Sequence, residues 1–150
     1  MHFAVVCFDQ DTQTIMAAKR SDAHTQNIGK WEFGCAKASG GEKLINTITE
    51  YYRKVFAIDI DLVLDNNRTE KQPFPIAVYE ITEGDCIKKG IIFLAKVKHK
   101  YELNKSEKYQ EIKWLNREQL YKIAQADAVQ DFHKTIDFVF SDRGMELLEV

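Results

Sequence analysis

The chain has 150 residues, of which 45% are hydrophobic and 29% are charged, and its formal net charge is −2 at pH 7. This size and composition predict a single globular domain over residues 1–150. The near-neutral balance excludes a global attraction to nucleic acid or to anionic membranes, and no apolar run approaches the roughly 18 residues of a transmembrane helix. With no signal-peptide pattern at the start, we expect a cytoplasmic protein.

The first part of the chain predicts a hairpin, a glycine-rich loop and a helix. Apolar and β-branched residues indicate strands over 2–8 and 14–20, joined by a polar turn. A polar loop leads to a short strand over 31–33, and a loop over 34–41 follows. A helix is predicted over 42–56, because its apolar residues recur at steps of three and four positions.

The second part predicts further strands and then helices. The predicted strands cover 58–64, 75–81, 90–98 and 112–115, with a turn over 82–89 and a charged loop over 100–110. Asn116 is suited to cap one helix and Asp127 a second, and the tail after Ser141 is either helical or frayed. This order favours an α+β sandwich, in which helices cover one mixed sheet.

The three cysteines, Cys7, Cys35 and Cys86, are far apart in sequence and show no metal-site spacing. Cys7 lies in an apolar strand and is predicted to be a small core residue. A nucleophilic Cys35 would need a neighbouring His or Lys to lower its pKa, and only Lys37 is near in sequence. We therefore expect Cys35 to be a small residue in a tight turn.

Residues 31–42 read Trp-Glu-Phe-Gly-Cys-Ala-Lys-Ala-Ser-Gly-Gly-Glu, and such a glycine-rich loop before a helix can present backbone N–H groups to an anion. The Trp-Glu-Phe opening, Lys37, Gly41 with Glu42, and Ile58 match the signature of the Nudix superfamily. About residues 3–140 can be laid along that family. The chain thus resembles enzymes that use magnesium or manganese to hydrolyse nucleoside diphosphates linked to another group.

The resemblance implies a Nudix-type α/β/α sandwich with a mixed central sheet. It is supported outside the signature by residues 17–20 (Ala-Ala-Lys-Arg), which are similar to the end of the family's second strand. Residues 111–115 (Glu-Ile-Lys-Trp-Leu) are similar to a late strand of the family. Because Nudix proteins often dimerise, a homodimer is compatible with the resemblance.

The signature is degenerate over residues 36–58, where it should supply the metal ligands. Its Arg is replaced by Glu50, and its three helix glutamates are replaced by Tyr51, Lys54 and Val55. Cleavage of a diphosphate in this family needs metals held by clustered carboxylates, and magnesium requires oxygen ligands. A phenol, an ammonium group and an isopropyl group do not replace them, so we predict no metal ligand here and a large loss of the usual rate acceleration.

Three acids remain as candidate catalytic residues: Glu42, Glu50 and Glu111. Each has an ordinary alternative, namely a helix-start residue for Glu42, a surface partner of Lys54 for Glu50 and an exposed strand-end acid for Glu111. The resemblance also implies four candidate substrate-binding residues, which are Arg20, Glu32, Lys37 and Lys54. The ammonium group of Lys54 would contact a phosphate where the family places a metal, or else be solvated on the helix.

Three functions follow from these observations. The first is a Nudix-fold pseudoenzyme that binds a nucleotide or another phosphate-containing small molecule, with no certain cofactor. The second is an active hydrolase of a nucleoside-diphosphate derivative that uses relocated acids together with Mg or Mn. The third is an interaction domain without a small ligand, which an empty, apolar or collapsed cleft would favour.

Overall fold

The computed structural model describes residues 1–24, 26–38, 43–67, 69–83, 85–103 and 106–149, except for the side chains of residues 81–83. The strands in these segments are β1 (His2–Asp9), β2 (Thr14–Arg20), β3 (Trp31–Glu32), β4 (Ala36–Lys37), β5 (Ile58–Leu62), β6 (Leu64–Asp65), β7 (Gln72–Pro73), β8 (Pro75–Glu83), β9 (Cys86–Lys100) and β10 (Tyr109–Leu115). The helices are α1 (Leu44–Phe56), α2 (Arg117–Lys122), α3 (Phe132–Val139) and α4 (Asp142–Glu149), with a short 3-10 helix at Gln125–Asp127.

A mixed sheet is the centre of the molecule. Its strands run in the order β10-β2-β1-β9-β5, while β3 pairs with β2, β4 with β1 and β8 with β9. β1 and β9 are parallel over the whole of His2 to Phe8, and the other pairs are antiparallel. The expected α+β class with a mixed central sheet is confirmed.

The alternation of side chains along β1 divides the core into two layers. Phe3, Val5 and Cys7 face the layer that also holds the buried face of α1. Val6 and Phe8 face the opposite layer, where the buried residues of α3 and Leu148 of α4 pack. The sheet is therefore covered by helices on both faces, and Cys7 is the buried core residue that its apolar strand predicts.

Tyr52 connects α1 to the sheet between two short strand pairings of β1. β1 pairs with β4 at His2 and Phe3 and with β2 only at Phe8 and Asp9. Between these pairings the Tyr52 hydroxyl accepts a hydrogen bond from the Val5 N–H at 2.8 Å. Because an unpaired backbone group is costly in a core, the phenol replaces a missing strand partner.

The same hydroxyl holds the turn after β3. It donates to the Phe33 carbonyl at 3.0 Å. The next residue, Gly34, has φ +101°, and a Cβ there would lie 2.7 Å from the Tyr52 hydroxyl oxygen. Position 34 therefore requires glycine both for its backbone conformation and for the close approach of the phenol.

Of three local predictions from the sequence, the structure confirms one helix cap and contradicts a second helix cap and a turn. Asn116 caps α2 through a capping box with Gln119, as predicted. Asp127 does not cap a helix, because it belongs to the 3-10 helix and α3 begins only after Asp131. The predicted turn over 82–89 is wrong, since β8 and β9 form a hairpin paired up to Glu83 and Cys86. Residues 85–89 are all exposed, so their sequence has no alternation of apolar and polar residues that would indicate a strand.

Glu42, the predicted helix start, lies outside the described residues, and α1 begins at Leu44. In the part of the chain that the structure describes, none of the helices has the length and apolar content needed to span a membrane.

The Tyr52→Phe variant is expected to lose about 1–3 kcal/mol of unfolding free energy, because it leaves the buried Val5 N–H without its acceptor. Urea denaturation measures this difference. Tyr101→Phe is the matched control, since the Tyr101 hydroxyl bonds an exposed Asp59 carboxylate and its removal should change stability much less. Equal effects of the two variants would contradict the role given to Tyr52.

Candidate functional site

A cavity of 360 Å³ lies on the face of the sheet opposite α1. It is bounded by the end of β2, β3 and the turn that follows, β8, and the start of α3. Its polar lining residues are Arg20, Gln26, Asn27, Lys30, Glu32, Cys35, Tyr79, Glu80, Gln130, Asp131 and Thr135. A volume of this size, with mixed polar and apolar walls, is within the usual range for small-molecule sites.

Arg20 and Glu32 form an ion pair in the wall of this cavity. The Arg20 Nη1 donates to Glu32 Oε2 at 2.8 Å, and the two side chains are 13% and 7% exposed. The other carboxylate oxygen accepts from the Tyr109 hydroxyl at 2.8 Å, and the Arg20 Nε donates to the Gln26 carbonyl. Burial, followed by the Glu32 charge, raises the pKa of Tyr109. The buried carboxylate is therefore fully compensated, as a charge in such a place must be.

Aromatic rings form the apolar walls. Phe33 and Phe132 are stacked, with ring centroids 4.6 Å apart and an interplanar angle of 6°. On another side stands Tyr79 of β8, which is paired with Gly90 of β9. A Cβ at Gly90 would lie 2.2 Å from the Tyr79 ring, so this ring occupies the space that a side chain at position 90 would need.

Cys35 lies beside Tyr79, with 3.5 Å between its Sγ and the Tyr79 hydroxyl. Burial is the main influence on this thiol, and it raises the pKa of Cys35. Because the thiolate is the reactive form of cysteine, this position does not favour a nucleophile. The structure places Cys35 half-buried in the turn between β3 and β4, and its role as a small turn residue stays a prediction.

A second feature, the α1 groove, lies on the outer side of the turn. It is lined by Lys43, Asn46, Thr47, Glu50, Tyr51 and Lys54. The Tyr51 hydroxyl donates to the Cys35 carbonyl at 3.0 Å, so the phenol reaches from this groove to the turn that lines the cavity. Burial raises the pKa of Tyr51 to about 12, which keeps the phenol neutral. The Lys108 Nζ lies 5.5 Å from its ring centroid.

The described residues at the signature positions do not fit a magnesium site. Among the side chains that the structure describes, no three His, Cys, Asp or Glu residues are grouped closely enough to hold a metal ion. Tyr51 is hydrogen-bonded to the turn, and Lys54 is exposed with its positive charge in the groove. Hard divalent cations need several oxygen ligands, and this helix face offers Glu50 beside two lysines.

The structure brings together some of the predicted site residues and separates others. Arg20 and Glu32 line the cavity, while Glu50 and Lys54 line the α1 groove. Lys37 is exposed on β4 and is not among the cavity residues. Glu111 is exposed on β10, where the Lys113 ammonium lies 3.6 Å from its carboxylate.

Several cavity residues were not predicted as site residues from the sequence. Tyr79 belongs to a strand whose pattern has no chemical signature, although the small Gly90 opposite it is a signal of close approach. Lys30 and Asp131 lie in polar connecting segments, and nothing in their local sequence distinguishes them from ordinary loop residues.

The Arg20→Met variant is expected to be less stable by about 3–5 kcal/mol, because it leaves the Glu32 carboxylate buried without its cation. The Arg20→Met/Glu32→Gln double variant should recover much of this loss, since a neutral amide can still accept from the Tyr109 hydroxyl. Chemical denaturation of the wild type, both single variants and the double variant gives the coupling. Additive losses would show that the pair is not coupled.

Alkylation with iodoacetamide is expected to modify the exposed Cys86 first, Cys35 slowly and the buried Cys7 only after unfolding. Peptide mass spectrometry at pH 8 follows the three rates, and Cys86→Ser should remove the fast adduct alone. Labelling of Cys35 as fast as that of Cys86 would indicate an activated thiol instead.

Comparison with solved structures places the fold. The Nudix domain of Shewanella oneidensis NrtR, solved with ADP ribose, is 12% identical with a TM-score of 0.61, covering 91% of this chain and 82% of that one. A C. elegans Ap4A hydrolase is 15% identical with a TM-score of 0.58 and coverages of 93% and 98%. A Nudix-family hydrolase from Clostridium perfringens is 11% identical with a TM-score of 0.66 and coverages of 92% and 96%.

Searches with the sequence among protein families and among curated proteins find no match. The similarity to solved structures therefore concerns the path of the chain and not its residues.

Proposed function

We propose that this chain, which has the Nudix fold, binds a nucleotide or a nucleoside-diphosphate derivative and lacks the metal-dependent pyrophosphohydrolase activity of Nudix hydrolases. The nucleoside part of the ligand occupies the cavity, and its phosphates lie along the α1 groove. Lys54 contacts a phosphate without a metal.

The observation that carries this proposal is the presence of Tyr51 and Lys54 in the α1 groove, where the resemblance to the Nudix signature implies metal-binding acids. The Tyr51 hydroxyl is engaged by the Cys35 carbonyl at 3.0 Å and is neutral, so it gives no charge to a cation. Lys54 repels a divalent cation and attracts a phosphate by the same charge. The groove is therefore suited to an anion rather than to a cation.

The two features are close enough in the fold to serve one ligand. Tyr51 lines the groove with its ring and contacts through its hydroxyl the turn at Cys35, which lines the cavity. Lys43 and Lys54 line the groove together with Tyr51, and the Lys108 Nζ lies 5.5 Å from the Tyr51 ring centroid, so the groove side of the turn is basic. An elongated ligand with an anionic part and an uncharged part fits this division.

A second candidate function, hydrolysis with relocated acids, is favoured by one residue. Glu50 lies in the α1 groove beside Tyr51 and Lys54, at the place where a phosphate would be bound. In that function Glu50 acts as a base or supports a metal, together with Mg or Mn. Glu111 gives this function little support, because its exposed carboxylate lies beside Lys113.

A panel of nucleoside-diphosphate derivatives and nucleoside triphosphates tests both functions. With Mg or Mn present we expect no turnover above the rate of the ions alone, because the described helix face holds no carboxylate cluster. With EDTA present we expect at least one ligand to raise the melting temperature, since binding to the native state stabilises it. Turnover that is lost in Glu50→Gln would overturn the proposal in favour of the second function.

The Lys54→Ala variant is expected to bind that ligand about fivefold more weakly, the effect of losing one solvent-exposed ion pair. Titration calorimetry in EDTA measures the change in Kd. Lys98→Ala is the matched control, because Lys98 is exposed on β9 and is not among the residues of the groove or the cavity. An unchanged Kd in Lys54→Ala would show that Lys54 does not contact the phosphates.

A further inference from the structure

The charged residues that line the cavity carry more negative than positive charge, unlike those of a phosphate-binding pocket. Two basic residues line it, Arg20 and Lys30, and three acidic ones, Glu32, Glu80 and Asp131. The guanidinium of Arg20 is already bonded to Glu32 and to a backbone carbonyl. The lining is therefore acidic rather than basic in balance, which disfavours a bound anion.

Asp131 is the acid whose carboxylate is left available to a ligand. Glu32 is occupied by Arg20 and Tyr109, and Glu80 is exposed to solvent. Asp131 is half-buried, and within the described segments its carboxylate makes no hydrogen bond or ion pair. It precedes α3 as the N-cap residue, yet its side chain does not cap the helix.

The backbone holds Asp131 in an unusual conformation. Its φ is 66°, in the left-handed region that few residues other than glycine, asparagine and aspartate adopt. Its carbonyl accepts from both the Thr135 N–H at 3.0 Å and the Thr135 hydroxyl at 2.8 Å. These two bonds anchor the main chain at Asp131, which is one of the residues that line the cavity.

Aromatic residues line the cavity near Asp131. Phe132 follows it directly and is stacked on Phe33, while Tyr79 stands on another side. A cavity that has aromatic residues in its lining beside a half-buried, unpaired carboxylate favours a planar group with a hydrogen-bond donor at its edge. A ligand without that donor would displace water from the carboxylate without supplying a hydrogen bond in its place, and it would therefore bind more weakly.

On the premise that the proposed function is correct, we propose that Asp131 is a specificity-determining residue that selects ligands whose planar ring bears an amino group. Adenine, guanine and cytosine derivatives belong to this class. The carboxylate accepts a hydrogen bond from the amino N–H, and its charge keeps phosphates out of the cavity and in the α1 groove.

Matched nucleoside pairs test this without any phosphate. The pairs are adenosine with purine riboside, guanosine with inosine, and cytidine with uridine, and inorganic pyrophosphate serves as the phosphate-only probe. NMR titration in EDTA gives each Kd for the wild type, Asp131→Asn and Asp131→Gly. Both replacements tolerate a positive φ, so the backbone at position 131 is preserved. Asp127→Asn is the control, an exposed acid that does not line the cavity.

For the wild type we expect the amino-bearing member of at least one pair to bind about tenfold more tightly, as for a hydrogen bond to a charged group. This preference should fall in Asp131→Asn, disappear in Asp131→Gly and persist in Asp127→Asn. Binding of pyrophosphate should not weaken in any of them, and it should not compete with the nucleoside.

A preference that persists in Asp131→Gly, or competition between pyrophosphate and nucleoside, would overturn this inference while leaving the proposed function in place. Nucleotide binding by the wild type with no preference within any pair would do the same. A wild type that binds neither nucleosides nor nucleotides would instead overturn the proposed function, and the role of Asp131 with it.

Discussion

The hydroxyl of Tyr52 is the contact on which the site depends, because three separate parts of the chain meet at this atom. It accepts from the Val5 N–H in the central sheet, donates to the Phe33 carbonyl in the turn, and is carried by α1. The turn that separates the cavity from the α1 groove is thereby fixed to the sheet and to the helix at once. The position of this turn relative to the sheet and to α1 is therefore set in part by a single hydroxyl.

Tyr51 and Tyr52, adjacent on α1, fasten consecutive parts of that turn. Tyr52 bonds to the Phe33 carbonyl, and Tyr51 bonds to the Cys35 carbonyl two residues later. Gly34 lies between the two carbonyls with its positive φ. The phenol at position 51 therefore has a structural role in addition to being uncharged. It uses a backbone carbonyl of the turn as an internal hydrogen-bond acceptor and makes the turn part of the packed structure.

Much of the fold could be predicted from the sequence, because local patterns determine it. The apolar alternation of the first two strands, the period of α1 and the capping residue Asn116 each act over a few neighbouring positions. The prediction failed where a side chain gives no periodic signal. Asp127 has the composition of a cap but lies in a 3-10 helix, and the β8–β9 ribbon is held by main-chain pairing.

The candidate site was harder to predict, because it is assembled from distant segments. Arg20 and Glu32 could be named through the resemblance, which carries information about where strand ends meet. Asp131 could not, since its availability depends on a left-handed backbone and on a helix cap that its side chain does not make. The backbone conformation and the missing cap both result from the tertiary structure, and neither can be predicted from residue type or spacing.

The missing side chain at Gly90 has a consequence for how this cavity could vary among related chains. Gly90 does not line the cavity, yet the ring of Tyr79 rests in the space that it leaves. A methyl group introduced there would move the ring and so alter the cavity's dimensions from behind its wall. The size of the cavity thus depends on position 90, which is not one of its lining residues. A substitution there would change the shape of the cavity without changing the chemical groups that line it.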